Sequence, residues 1–163
     1  MLIRAARDED WPGIWPFFAR IVEAGETYAY PEDLDSESAR KLWMERPPGL
    51  TVVAVEDDDA TVLGSAKSGP NRPGRGAHVA TASFMVDPDQ QGRGVGRALA
   101  TYVVDRARAD GYRSMQFNAV VETNGSAVAL WQSLGFVILG TVPEAFDHRR
   151  LGLVGLHVMH RRL

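Results

Sequence analysis

Three glycines in five residues, Gly92-Arg93-Gly94-Val95-Gly96, follow an apolar run that ends Phe84-Met85-Val86-Asp87-Pro88. The amphipathic run that begins Val95-Gly96-Arg97-Ala98-Leu99 overlaps them and continues onward. Glycine lets a backbone turn tightly and bring its N–H groups close to a ligand. A helix that starts directly after such a loop points its unpaired N–H groups and its positive dipole end back at it. Strand, glycine loop and helix N-terminus together make a cradle for a phosphate group, with no metal required.

The spacing narrows which phosphate. A dinucleotide fingerprint needs G-x-G-x-x-G after the first strand of a domain, with an acid ending the next strand. Here Arg97 takes the slot of the last glycine, the loop lies mid-chain, and the following strand ends Val121-Glu122. A P-loop needs Lys followed by Ser or Thr, and the loop has neither. Other chemistries drop out by composition. With no cysteine there is no disulfide framework, thiolate metal site or cysteine nucleophile. His78, His148, His157 and His160 show no metal-ligand spacing, so no metal site is read. A net charge of −3 gives no electrostatic case for a nucleic-acid partner. Arg4, Arg7 and Asp8 replace the apolar core of a signal peptide, and no run approaches the roughly 18 apolar residues of a membrane span. The reading is a cytoplasmic protein without membrane attachment, with one domain over residues 1–163.

The elements that must position the loop follow from periodicity. Leu2 to Ala6 reads as a first strand. Ile14, Phe17, Phe18, Ile21 and Val22 recur at helical spacing, and Pro16 predicts that this helix breaks into two pieces. Gly25 to Pro31 is a loop carrying Glu26, Tyr28 and Tyr30, and Ser36 is placed to cap a second helix running to about Glu45. Leu50–Val55 and Thr61–Lys67 form a hairpin around the acidic turn Asp57–Asp59, and residues 69–76 read as a mobile loop. His78 to Val86 is the strand entering the glycine loop. The next helix buries Val95, Ala98, Leu99, Tyr102, Val103, Arg106 and Ala107 and stops at Gly111. Met115, Phe117, Ala119 and Val121 alternate as a strand, and Asn124 or Ser126 caps a short helix. Phe136–Val142 and Leu153–Met159 are final strands separated by a loop of about ten residues containing Pro143-Glu144-Ala145-Phe146. The strand–helix–strand unit over 78–121 demands a parallel pair with a right-handed crossover, so the class is α/β with a mixed sheet.

Gln91-Gly92-Arg93-Gly94-Val95-Gly96 matches each fixed position of Q/R-x-x-G-x-G/A, the pyrophosphate loop of the GCN5-related N-acetyltransferases. The block Asn124-Gly125-Ser126-Ala127-Val128-Ala129-Leu130-Trp131-Gln132-Ser133-Leu134-Gly135-Phe136 resembles that family's N-x-x-A-x-x-L-Y-x-x-x-G-F. The resemblance is specific over about residues 78 to 140. It implies a central sheet of about seven strands, splayed parallel strands 4 and 5, and about four helices. It also implies acetyl-CoA as co-substrate, with no metal, and acetyl transfer to an amine, with a homodimer as a common assembly. On this reading the main chain of Phe84, Met85 and Val86 pairs with the pantetheine arm, and one N–H there polarises the thioester. The N–H groups of Gln91, Gly92, Arg93, Gly94, Val95, Gly96 and Arg97 hold the pyrophosphate. Asn124 bonds the arm from the far side, with Ala127 and Trp131 of the same block in the donor site. Asn124 is equally accounted for as a plain helix N-cap, and the two roles are compatible.

An amine attacks only when unprotonated, and an alkyl amine has a pKa near 10 in water. A base or a desolvating pocket must therefore supply it. Members of the phosphinothricin-acetyltransferase type place a glutamate on strand 4 seven residues before the proline, where this chain has Thr81. Trp131 stands where the family's tyrosine protonates the leaving thiolate, and an indole N–H is no acid. A thiol with a pKa near 8.5 tolerates that loss, because solvent can protonate it. Asn118 is flanked by Phe117 and Ala119 and is expected to be a buried amide in need of partners. It serves either a structural bond across the splayed strands or a contact to substrate or thioester. Met115-Gln116-Phe117-Asn118, with Leu130-Trp131 and Leu134-Gly135-Phe136, resembles a subgroup that acetylates proline analogues such as azetidine-2-carboxylate. There, asparagines on strands 4 and 5 contact the substrate, and Thr81 and Asn118 hold the matching positions. Glu26 is the ionisable group placed nearest the acceptor, or else an exposed loop carboxylate. The reading is an acetyl-CoA-dependent N-acetyltransferase of a small-molecule amine, an amino acid or toxic analogue, by direct attack in a ternary complex. A catalytically weak acyl-CoA-binding sensor and a protein N-acetyltransferase are the alternatives.

Overall fold

A continuous apolar strand such as Leu50–Val55 needs cover on both faces, and helices supply it from both sides of one sheet. The computed structural model describes residues 1–57 and 59–163. The acidic turn expected at Asp57–Asp59 thus falls partly outside the described residues, at Asp58. Seven strands are described: β1 (Leu2–Ala5), β2 (Leu50–Val55), β3 (Val62–Pro70), β4 (Val79–Val86), β5 (Ser114–Val121), β6 (Val137–His148) and β7 (Gly152–Arg162). They lie in the order β1-β2-β3-β4-β5-β7-β6, antiparallel except for the parallel pair β4–β5. The α-helices among the described residues are α1 (Trp11–Ala24), α2 (Ser36–Trp43), α3 (Val95–Ala109) and α4 (Gly125–Ser133).

Each sheet face carries its own core. Leu99, Val103 and Ala107 of α3 and Trp131 of α4 pack on Val52, Ala66, Ala80, Met115 and Phe117. Ile14, Phe17, Phe18 and Val22 of α1 and Trp43 of α2 pack on Val53, Val55 and Met85. Trp43 is fully buried. Its indole N–H donates to Ser65 Oγ at 2.9 Å, and Ser65 Oγ donates to the Val52 carbonyl at 2.8 Å, so no polar atom of the pair is stranded.

Several expectations needed correcting. Pro16 lies inside one continuous α1 rather than between two pieces. Its missing N–H deprives only the Pro12 carbonyl near the helix start, and the buried aromatic stripe holds the two halves together. Asp35, not Ser36, caps α2: its carboxylate accepts from the Ser38 N–H at 2.7 Å, while Ser36 Oγ accepts from the Trp11 indole at 2.9 Å. Gly69 and Pro70 belong to β3 rather than to a loop. Pro143–Phe146 is a bulged stretch of β6, with the register shifting between Val142 and Phe146 and Glu144 at φ 51°.

The pair β4–β5 shares only two register positions, Val79↔Ser114 and Ala80↔Met115. Beyond Met115, β5 carries an irregularity between Phe117 and Val120 and diverges from β4. Phe84, Phe117, Trp131 and Phe136 floor the resulting gap, with ring centroids 4.8 Å apart for Phe84–Trp131 and Phe117–Trp131 and 4.4 Å for Phe117–Phe136.

Candidate active site

The glycine loop has the geometry its composition demands. Gly92 and Gly94 sit at φ 79° and 78°, where L side chains are strained. A Cβ at either would meet nothing within 4 Å, so the space over the loop is open. Gly94 is the N-cap of α3, and no side chain caps that end. The first amides of a fifteen-residue helix are therefore left for a ligand. The arginines brace this cradle. Arg93 bonds Gln90 Oε1 at 2.5 Å and Glu56 at 2.8 Å, and Arg97 donates to Ser133 Oγ at the end of α4 at 2.9 Å.

The pleat decides which main-chain groups of β4 face the gap. The Val79 carbonyl accepts from the Asn71 N–H at 2.8 Å, and the Asp87 N–H donates to the Leu63 carbonyl at 3.0 Å. Odd-numbered residues of β4 thus turn their polar groups to β3, and Ala82, Phe84 and Val86 turn theirs toward β5. This corrects the reading for Met85: its main chain faces β3, and its side chain is buried in the α1–α2 core. Phe84 brings a second correction. Its carbonyl accepts from the Tyr28 hydroxyl at 2.6 Å, and its N–H donates to the same oxygen at 2.9 Å. Burial pushes the Tyr28 phenol well above the ordinary tyrosine range, so it stays protonated.

On the α1–α2 face, β4 borders a cavity of about 380 Å³ lined by Thr81, Ser83, Asn71, Glu45 and the basic side chains Arg46, Lys67 and Arg72. Glu45 is the only carboxylate among its lining residues, and it pairs with Lys67 at 3.1 Å. Thr81 is therefore placed at the cavity as its sequence position suggested. Asn118 is exposed rather than buried, because it lies where β5 has left β4. Its amide donates to Asn71 Oδ1 at 2.6 Å and accepts from Gln116 at 2.9 Å, so it reaches the cavity rim through Asn71. Glu26 is not among the lining residues. It is paired with Arg150 of the β6–β7 turn at 2.7 Å.

Asn124 caps α4, its Oδ1 accepting from the Ala127 N–H at 3.3 Å and from Ser126 Oγ at 3.1 Å. Trp131 is buried in the aromatic floor, filling space as an apolar wall where a tyrosine would present a hydroxyl. Sequence reasoning missed Tyr28 as a partner of β4 and Asn71 as a partner of Asn118. The paired tyrosines of the 25–31 loop were the available signal for the first.

Splayed parallel strands, an uncapped helix behind two left-handed glycines and a floored gap form a donor cradle. A family model described as "Acetyltransferase (GNAT) family" matches residues 13–136. The chain belongs to the GNAT acetyltransferase family. Similar solved structures include a GCN5-related N-acetyltransferase from Kribbella flavida, 62% identical, with TM-score 0.96 over 99% of this chain and 97% of that one. The structure of yncA, a putative acetyltransferase from Salmonella typhimurium with its cofactor acetyl-CoA, is 26% identical, with TM-score 0.83 over 100% and 94%. N-acetyltransferase aca1 of Schizosaccharomyces pombe is 34% identical over 98 residues, 60% of this chain. The chain spans about half the length of that curated relative, 46% of it. In this GNAT chain the family's two blocks stand on the expected elements, α3 with its loop and α4 with its cap.

Proposed function

We propose that this protein is an acetyl-CoA-dependent N-acetyltransferase of small amines that carry an acidic group, amino acids and their analogues first. One observation carries the reading. β4 presents its edge to the donor gap at Phe84 and Val86, and residues 81–83 of the same strand line an open cavity on the other face. Acetyl-CoA supplies an acetyl group activated as a thioester. The amides of Gly94 to Arg97 are placed to hold its pyrophosphate, and Val86 to pair with its arm.

The cavity sets three basic side chains against one carboxylate, which favours an anionic acceptor, and its volume suits a ligand of amino-acid size. Thr81, Ser83 and the Asn71–Asn118 amides offer hydrogen bonds to an amine. With Glu26 outside the cavity lining and Thr81 unable to act as a base, desolvation of the ammonium in the cavity shifts it toward the reactive free amine. That the one carboxylate lining the cavity, Glu45, is paired with Lys67 favours, as a second reading, an acyl-CoA-binding sensor of low turnover.

The test is thiol release from acetyl-CoA against amino acids, proline analogues and phosphinothricin, each beside its carboxamide or decarboxylated counterpart. Carboxylate-bearing amines should turn over at least about tenfold faster in kcat/KM, the equivalent of about 1.4 kcal/mol. Preference for the neutral counterparts overturns the acceptor class. Tight acetyl-CoA binding without turnover on any amine would favour the sensor.

A further inference from the structure

The contact that the acetyl-transfer reading leaves unexplained is Tyr28 on Phe84. One hydroxyl takes both main-chain groups of a single strand residue, donating to its carbonyl at 2.6 Å and accepting from its N–H at 2.9 Å. It does so at the place where β5 no longer supplies partners, four residues past the last β4–β5 register position. A residue of a strand paired antiparallel along this edge of β4 would make the same two bonds, its N–H donating to the Phe84 carbonyl and its C=O accepting from the Phe84 N–H. The ring reaches this point from the α1–α2 face: it stacks on Tyr30 at 5.6 Å with the planes 2° apart, and meets Trp43 edge-on at 6.3 Å. The loop that carries it is anchored to the β6–β7 turn by Glu26–Arg150, Glu32–Arg149 and the Arg149 N–H on the Gly25 carbonyl.

We infer that Tyr28 is a built-in stand-in for the donor's arm, satisfying Phe84 in the free protein and surrendering it when the acyl-pantetheine enters the gap. The inference rests on the acetyl-CoA reading above. It has two consequences. The free protein does not leave a partly buried N–H and C=O unpaired, which would otherwise destabilise the splayed strands. Donor entry must break two hydrogen bonds made from the acceptor face, so occupation of the gap is linked to the Tyr28 side of the site before an amine arrives. The phenol, held protonated by burial, enters this exchange as a neutral hydrogen-bond donor.

Tyr28→Phe keeps the ring stack and removes only the hydroxyl. The free variant should melt at a lower temperature than wild type, yet bind acetyl-CoA more tightly, by about tenfold, because the donor no longer competes with an internal partner. Adenosine 3′,5′-bisphosphate, which lacks the arm and engages the glycine loop alone, should bind both proteins equally. Acetyl-CoA binding that is unchanged or weakened in Tyr28→Phe, with the bisphosphate unaffected, overturns the stand-in. Failure of wild type to bind either ligand overturns the donor reading itself, a distinguishable result.

A second measurement does not depend on that variant folding. In protein labelled with fluorotyrosine, the Tyr28 resonance is assigned by elimination with Phe substitutions at Tyr30, Tyr102 and Tyr112. It should shift on adding acetyl-CoA and stay still on adding the bisphosphate. A resonance indifferent to acetyl-CoA refutes the exchange.

Discussion

Gly94 and Asn118 show how differently two residues of one site depend on their surroundings. Gly94 needs its φ of 78°, and its Cβ position faces open space. Gly94→Ala should therefore cost about 1 kcal/mol through backbone strain alone. Gly94→Glu should in addition abolish acetyl-CoA-dependent thermal stabilisation, by setting bulk and negative charge against the pyrophosphate cradle. Retained stabilisation in Gly94→Glu would move the donor elsewhere. Asn118 is exposed and holds Asn71 across the end of the splay. Its replacement by Ala should cost no more than about 0.5 kcal/mol of stability, as for an open surface site. Turnover should fall about tenfold through the acceptor's kcat/KM, about 1.4 kcal/mol, with acetyl-CoA affinity preserved. Wild-type kinetics in Asn118→Ala would reduce the Asn71–Asn118 pair to a strut.

At the scale of elements, α1 is secured to β1 by a partly buried fork rather than by its own cap. Asp10 accepts from Arg4 at 2.7 and 2.9 Å and from the Arg7 N–H at 2.6 Å. Arg4 holds the Asp10 carboxyl below its ordinary range. A carboxylate whose folded pKa is depressed contributes stability that is in full force above its unfolded pKa, near 3.9, and is lost as pH falls through the lower folded value. Asp10→Ala should thus destabilise by roughly 2 kcal/mol at neutral pH by removing two of Arg4's charge-assisted bonds and leaving it the Asp59 carboxylate, at 2.6 Å. The gap between variant and wild type should close below about pH 4, in urea melts collected as a function of pH. A gap independent of pH would show that the fork contributes by packing alone. Because α1 leads directly into the Tyr28 loop, the same fork fixes the platform from which that side chain reaches β4.

Across the whole molecule, the sheet is an antiparallel structure interrupted at one seam, and the function sits on the interruption. β1–β2–β3–β4 and β5–β7–β6 are antiparallel ladders that stay paired through their bulges, whereas β4 and β5 share two register positions and then separate. A ligand in that seam completes the hydrogen bonding of the sheet. Acetyl-CoA at a hundred times its Kd should add about 2.7 kcal/mol of stability. Beyond the slowing that added global stability gives the most protected amides, it should slow exchange through local opening selectively at residues 84–97. Uniform slowing over the entire sheet would indicate global stabilisation without occupation of the seam.

The parts of the site that are contiguous in the chain were legible without any structure. A strand, two glycines that must turn left-handed and a helix start are one local event, so spacing places the cradle at the glycine loop and narrows the α4 cap to Asn124 or Ser126, of which the structure uses Asn124. The parallel crossover over 78–121 followed from the same periodicities. Residues that meet across the fold were not legible. Tyr28 and Phe84 are 56 residues apart, and Asn71 and Asn118 are 47 apart. Whether a strand residue turns its polar groups to its neighbour or to the gap depends on the β3–β4 register, which shifts by whole residues and reverses every assignment on the strand. Met85 was misplaced for that reason, and the pairing of Glu26 with Arg150 was not foreseen because Arg150 lies in a turn 124 residues further along the chain. Sequence thus determined what the donor cradle is made of, through backbone geometry that neighbouring residues impose on one another. Tertiary structure alone decided which groups face the seam and that a tyrosine already fills it, because both depend on registers between strands.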